Sequence, residues 1–188
     1  GYKKYQDLTY FHAFSIAVGK LFYNRPLLNR FIINKRFYDR KFINISFVAK
    51  REFTDGSEEN LNVINIEKND NIFSLSKKIC STVNSVRTSK TNDADNFITK
   101  IGKLPVWIKN IIVSILRFMD NHDLIPQNLT NNSIYHSSII LSNLGSINCG
   151  AIYHNLTNFG TNCILMTIGK IKDEAVVING KVTIRKTC

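Results

Sequence analysis

Apolar residues recur at helical spacing from Thr9 to Asn24, "TYFHAFSIAVGKLFYN". Phe11, Phe14, Val18, Leu21 and Phe22 share one face, Asp7 or Thr9 can cap the start, and Pro26 ends the segment. Lys20 and Arg25 stand near its carboxyl end, where cations suit the helix dipole. The period then changes to two. "RFIIN" and "RFYDR" flank Asn34-Lys35 and predict a hairpin. "KFINISFVAKREF" alternates Ile43, Ile45, Phe47 and Ala49 against Asn44, Ser46, Val48 and Lys50, a strand with one buried face. After the break at Asp55-Gly56, "NLNVINIEKN" predicts another strand, its inward positions Leu61, Val63 and either Asn65 or Ile66.

Helical spacing returns over Asn71 to Ser89, with Ile72, Leu75, Ile79, Val83 and Val86 in register. The polar run "RTSKTNDADN" predicts a surface loop. "FITKIGKL" and, beyond Pro105, "VWIKNIIVSILRFMDNHD" predict a second helical block. The last third reads as β: Ile134 to Ser142, Cys163 to Ile171, and the pair "AVVI" and "KVTIR" around Asn179-Gly180, a strong hairpin signal. Helix, strands, helices, strands, without a βαβα rhythm, predicts an α+β fold with helices on a mixed or antiparallel sheet. Neither an internal repeat nor a low-complexity linker divides residues 1–188, so a single domain is expected.

Composition changes this picture little. The chain is 44% hydrophobic and 21% charged, which places it among globular rather than disordered proteins. Its net charge of +11 suits an anionic partner, and the dense basic tract from Arg25 to Arg51 is interleaved with Phe31, Phe37, Tyr38 and Phe42. No recognisable nucleic-acid motif accompanies the charge, so nucleic acid is not the expected partner. Cys80, Cys149, Cys163 and Cys188 lie far apart without a C-x-x-C. The spacing of Cys149, His154 and Cys163 matches no common zinc site, so no metal is expected and reduced thiols in the cytoplasm are. The opening residues lack a signal-peptide cleavage pattern, and no apolar run is long enough to span a membrane.

The stretch "SSIILSNLGSI", Ser137 to Ile147, carries the candidate chemistry. Alone, Ser-Asn-Leu-Gly is a strand end with a glycine that permits a positive-φ turn. Its setting changes the weight. "FHAFSIAVGKLFYNRPLLNRFI" resembles the helix and "P-x-L-N" turn of the 2-oxo acid dehydrogenase acyltransferase catalytic domain, a fold shared with chloramphenicol acetyltransferase. "FINISFVAK" is similar to that family's "vniGvAV" strand, and "SIILSNLGSI" resembles its "T-F-T-I-S-N-L-G" segment. "NFGTNCILMTIGKIKDEAVVINGKVTIRK" resembles "p-x-x-AILgvG…pvv-dG-x-x-xR". The four segments follow family order across nearly the whole chain.

The resemblance implies a two-layer sandwich of a mixed sheet and helices, a homotrimer with sites between subunits, and acyl transfer between coenzyme A and a lipoyl-type thiol or a hydroxyl. It places an oxyanion donor on Ser142, with Asn143 beside it as support. There are departures. Likeness is poor from Asp93 to Thr130, and the family's first strand and helix have no counterpart. Its His-x-x-x-Asp-Gly motif, which carries the general base, would be expected roughly eight residues past Cys188. None of His12, His122, His136 and His154 has that pattern. An acyltransferase domain and a non-catalytic relative serving assembly or ligand binding therefore both stay open.

A third reading comes from Trp107, Ile108, Ile111, Ile112, Ile115, Leu116 and Met119, which with Lys109 and Arg117 make an amphipathic basic helix able to lie on a membrane surface. Packing on the protein's own core or on a neighbouring subunit is the expected use of such a face. His12 is expected to be a packed helix residue, and His136 a strand residue that lines the Ser142 cavity or plays a structural part. Asn29 is expected to form a turn. Asp93/Asp95 and Glu58/Glu59 are expected to be solvated loop carboxylates. No phosphate-cradling glycine loop is present, so coenzyme A is expected to lie in a channel along the sheet edge.

Overall fold

The computed structural model describes residues 8–50, 59–88, 104–131 and 133–188, without the side chains of 50, 59–61, 86–88 and 128. The Asp55-Gly56 break, the polar run after residue 88 and "FITKIG" lie outside the described residues, as do Glu58, Asp93 and Asp95.

Helix α1 spans Tyr10–Asn24. Thr9 caps it, and the third helical residue, His12, takes the place of the usual acid: its Nδ1 accepts the Thr9 N–H at 3.0 Å. An accepting nitrogen carries no proton, and burial lowers the His12 pKa, so both features favour a neutral imidazole. Phe11 packs edge-on against that ring. The chain then passes through a 3₁₀ turn, Pro26–Asn29, into β1 (Arg30–Ile33) and β2 (Arg36–Asp39). Asn34 and Lys35 both take positive φ, as the two-residue turn requires. Asn29 is more than a turn-former: it is buried, and its Nδ2 donates to the Phe42 carbonyl at 3.0 Å.

Strands β3 (Ile43–Lys50) and β4 (Glu59–Ile66) pair antiparallel, and α2 (Ile72–Thr88) follows. Asn71 caps α2, its Oδ1 accepting the N–H groups of Phe73 and Ser74 at 2.9 Å each. After α3 (Val106–Asn121) and the single turn α4 (Gln127–Thr130) come β5 (Ile139–Asn143), β6 (Leu165–Ile168) and the hairpin β7 (Lys172–Ile178) and β8 (Lys181–Thr187). Asn179 and Gly180 make the β7–β8 turn, both at positive φ.

The central sheet runs β4-β3-β5-β6, with β4 antiparallel to β3 and β5 parallel to both its neighbours. The α+β expectation with a mixed sheet holds. Helices α1 and α2 cover one face, burying Val18, Phe22, Leu75 and Ile79 against Ile45, Phe47, Ile64, Ile66, Ile139, Leu141 and Ile168. Each such side chain contributes about 1.5–3 kcal/mol by leaving water. Gly19 lets α1 approach, since a Cβ there would stand 2.8 Å from the Ile66 side chain.

Two sequence expectations are corrected. In β4 the inward residues are Asn62, Ile64 and Ile66, not the phase of Val63. Pairing with β3 sets this, because Ile64 opposes Ile45 and Ile66 opposes Ile43. Strand β5 begins at Ile139, not Ile134; residues Ile134–His136 form a 3₁₀ turn. The hydroxyls of Ser46 and Ser137 hold that turn over β3, 2.7 Å apart, with the Ser137 hydroxyl also donating to the Ile134 carbonyl at 2.9 Å. Ser46 is therefore fully buried on what the pattern marked as the polar face.

Candidate active site

Period two fixes where Ser142 points. Ile139 and Leu141 enter the helix-covered core, so Ile140 and Ser142 project from the opposite face of the sheet. There Ser142 pairs with Thr167 of β6 and is half-buried. Its hydroxyl has no hydrogen-bond partner among the described residues, whereas Thr167 Oγ1 donates to the Ile152 carbonyl at 3.0 Å. Asn143, the next residue, is exposed at the strand end.

The glycine of "SNLG" serves close approach and not a positive φ. Strand β5 leaves through a 3₁₀ turn, Leu144–Ile147, and the left-handed residue is Asn148. A Cβ on Gly145 would stand 2.7 Å from the Gly169 carbonyl oxygen, and one on Gly169 would stand 2.5 Å from the Ala151 nitrogen. Three backbones thus stack behind the strand end. Cys149 N–H donates to the Leu144 carbonyl at 3.0 Å, and Lys170 N–H to the Cys149 carbonyl at 2.8 Å. This packing fixes the exit of β5, and with it the position of Ser142.

His136 does not join Ser142. It lies in the 3₁₀ turn before β5, while Ser142 stands four residues beyond Ser138, roughly 13 Å along a strand. His136 Nε2 meets Asp120 Oδ1 at 2.8 Å and Nδ1 meets the Ser133 hydroxyl at 3.0 Å. A carboxylate only accepts, so His136 Nε2 donates to Asp120. Asp120 Oδ2 also accepts the Gly160 N–H at 2.6 Å, and Asp120 is the buried residue of α3. Nearby, Arg40 donates to the carbonyls of His136 and Thr161, each at 2.6 Å. Sequence reasoning missed Asp120 and Thr161; a lone acid closing a basic amphipathic helix, "RFMD", was the available signal for the first.

His12 is occupied at its helix cap, and His122 Nδ1 lies 2.8 Å from the Phe118 carbonyl. Cys149 and Cys163 are exposed, and among the described residues no three His, Cys, Asp or Glu side chains gather as a metal site. No described helix is long and apolar enough to cross a membrane.

No family model and no curated protein matches the sequence. Solved structures do match. The chain superposes on a probable dihydrolipoamide acetyltransferase from Listeria monocytogenes with a TM-score of 0.61 at 17% identity, over 95% of this chain and 58% of that one. The fold is that of the 2-oxo acid dehydrogenase acyltransferase cores. A second acyltransferase core, the Azotobacter vinelandii dihydrolipoamide acetyltransferase, gives 0.60 at 15% identity over 95% and 56%; in that enzyme a serine, a histidine and an asparagine were examined for their part in catalysis. The cubic core of a pyruvate dehydrogenase multienzyme complex gives 0.60 at 14% over the same shares. This chain therefore spans a little over half the length of these acyltransferase structures, and at such identities it is the backbone that is shared.

Proposed function

We propose that this chain is an acyltransferase domain of the 2-oxo acid dehydrogenase type, transferring an acyl group between coenzyme A and a thiol or hydroxyl acceptor. One observation supports it most: a serine in a half-buried position at the end of β5, its hydroxyl unclaimed by any described residue, on the sheet face that α1 and α2 leave uncovered. Attack on a thioester builds negative charge on the carbonyl oxygen, and a fixed hydroxyl there stabilises it by about 3–4 kcal/mol. Ser142 is that donor in this reading, and Asn143 supports it.

Acyl-coenzyme A and a lipoyl-type carrier are the substrates, drawn by the basic residues of the first β-hairpin region, and a homotrimer is the proposed assembly. The reading gives this chain the oxyanion donor and assigns no base. An acyl-coenzyme A/thiol exchange assay on the full-length product tests it. Ser142→Ala is expected to lower kcat by about 10²–10³-fold with little change in KM. Turnover that Ser142→Ala leaves intact would remove Ser142 from the reaction. No turnover in the unaltered full-length protein would favour the assembly or ligand-binding role.

A further inference from the structure

At the amino ends of β3 and β5, the far end of the strand from Ser142, a cavity of about 280 Å³ is lined by residues of the β1–β2 hairpin and by Asp123, Gln127, Thr130, Asn131 and His136. One wall is aromatic: Phe31 and Tyr38 stack with centroids 5.5 Å apart, and Phe42 lies beside them. Asn44, Gln127 and Asn131 add amides to the lining.

Arg40 also lines the cavity. Its guanidinium sits over the Phe31 ring at 4.4 Å and donates through Nη1 to the His136 carbonyl and through Nη2 to the carbonyl and hydroxyl of Thr161. Every one of those acceptors is neutral. Burial lowers the Arg40 pKa to about 10, offset only in part by the Cys163 thiol. Its Nε–H and one Nη1–H have no protein acceptor among the described residues.

The carboxylates nearby do not supply a counter-charge. Asp39 is held by Arg30 at 2.6 Å, and Asp120 is taken by His136 and Gly160. Asp123 lines the rim and is exposed. Arg30, Arg40 and Lys41 are matched in number by Asp39, Asp120 and Asp123, but with Asp39 and Asp120 so spent, no carboxylate is paired with Arg40. A guanidinium without a paired carboxylate suits a ligand that brings its own, and the aromatic lining suits an apolar body.

We propose that this cavity binds a small organic monocarboxylate, its carboxylate on Arg40 and Lys41 and its apolar body against Phe31, Tyr38 and Phe42. The site stands apart from Ser142 and does not depend on acyl transfer there.

The test is calorimetric titration of the full chain with sodium phenylacetate, 2-phenylethanol and inorganic phosphate at matched ionic strength. Phenylacetate is expected to bind saturably, with the alcohol and phosphate weaker by about tenfold or more. Arg40→Met should abolish binding and Lys41→Gln should weaken it a few-fold. Arg40→Met also strips the His136 and Thr161 carbonyls of their donor, so amide-shift mapping on the unaltered protein supplies a second reading. Shifts grouped at residues 38–44, 127–131 and 159–162 support the site. Shifts grouped at 142–148 and 165–170, an affinity equal to that of the alcohol, or no saturable binding would each overturn it. Tighter binding of phosphate would overturn the monocarboxylate assignment.

Discussion

Helices α1 and α2 and helix α3 carry the same kind of apolar spacing, yet they end differently. In α1 and α2, Val18, Phe22, Leu75 and Ile79 vanish into the core. In α3, Trp107 stays 65% exposed, and Ile111, Ile115 and Phe118 on the same stripe are exposed as well. The β7–β8 hairpin repeats the contrast with the central sheet. Val177 opposes Val182 and Ala175 opposes Ile184, an apolar face that stays in solvent, with Val177 71% exposed. Periodicity therefore specifies an element and its apolar face but not what that face meets. An unsupported two-stranded hairpin is marginal by itself, and apolar surface of this extent is unusual on a monomer.

The contrast can be broken first where it is strongest. Leu141→Ala, at a fully buried position, should cost about 2–5 kcal/mol in chemical denaturation; a loss near zero would mean that the sheet core is not the stabilising unit. Asp120→Ala should cost about 1–3 kcal/mol, because His136 and the Gly160 N–H lose their acceptor and α3 its buried tie to the body. Gly19→Ala should cost about 1–3 kcal/mol through overpacking on Ile66, although alanine is the better helix former. Ile111→Ser and Val177→Thr should each change monomer stability by no more than about 0.5 kcal/mol. A large loss at either would show those faces to be covered. Trp107, the one tryptophan, reports the same point optically: its emission should be that of a solvated indole and readily quenched.

The smallest effect is a titration. Burial sets the His12 pKa in the folded chain below its unfolded value, so the neutral ring's contribution is complete above about pH 6.5 and is lost as pH falls through the folded pKa. His12→Gln should flatten that part of the stability profile, and an unchanged acid limb would remove His12 as its source.

Both hairpins were legible because Asn34-Lys35 and Asn179-Gly180 state their turn chemistry locally. Helices α1 and α2 and strand β3 were legible from period and caps. The phase of β4 was not, because Leu61-Asn62-Val63-Ile64 offers apolar residues to both faces and only the register with β3 decides. The start of β5 was not, because the turn before it is tied through Ser137 to Ser46, a residue of β3 remote in the chain. At the candidate site, Ser142 could be placed on a strand end from its motif. The reason for Gly145 could not, since it lies in Gly169, a residue of another strand's exit. Asp120 and Arg40 bind partners remote in the chain, so no local spacing marked their connection to His136.

The middle of the sheet has a consequence for how the molecule is made. Strand β3 finds its parallel partner only when β5 arrives, after β4, α2, α3, α4 and all the chain between them. Parallel pairing across such a distance is slow, since loop closure is disfavoured before the contacts form. During synthesis one edge of β3 waits unpaired until residue 139 has left the ribosome, on the order of seconds. The vulnerable interval in the life of this protein is thus its birth, when a newly made β-ribbon lies open to aggregation and a chaperone would be of most use.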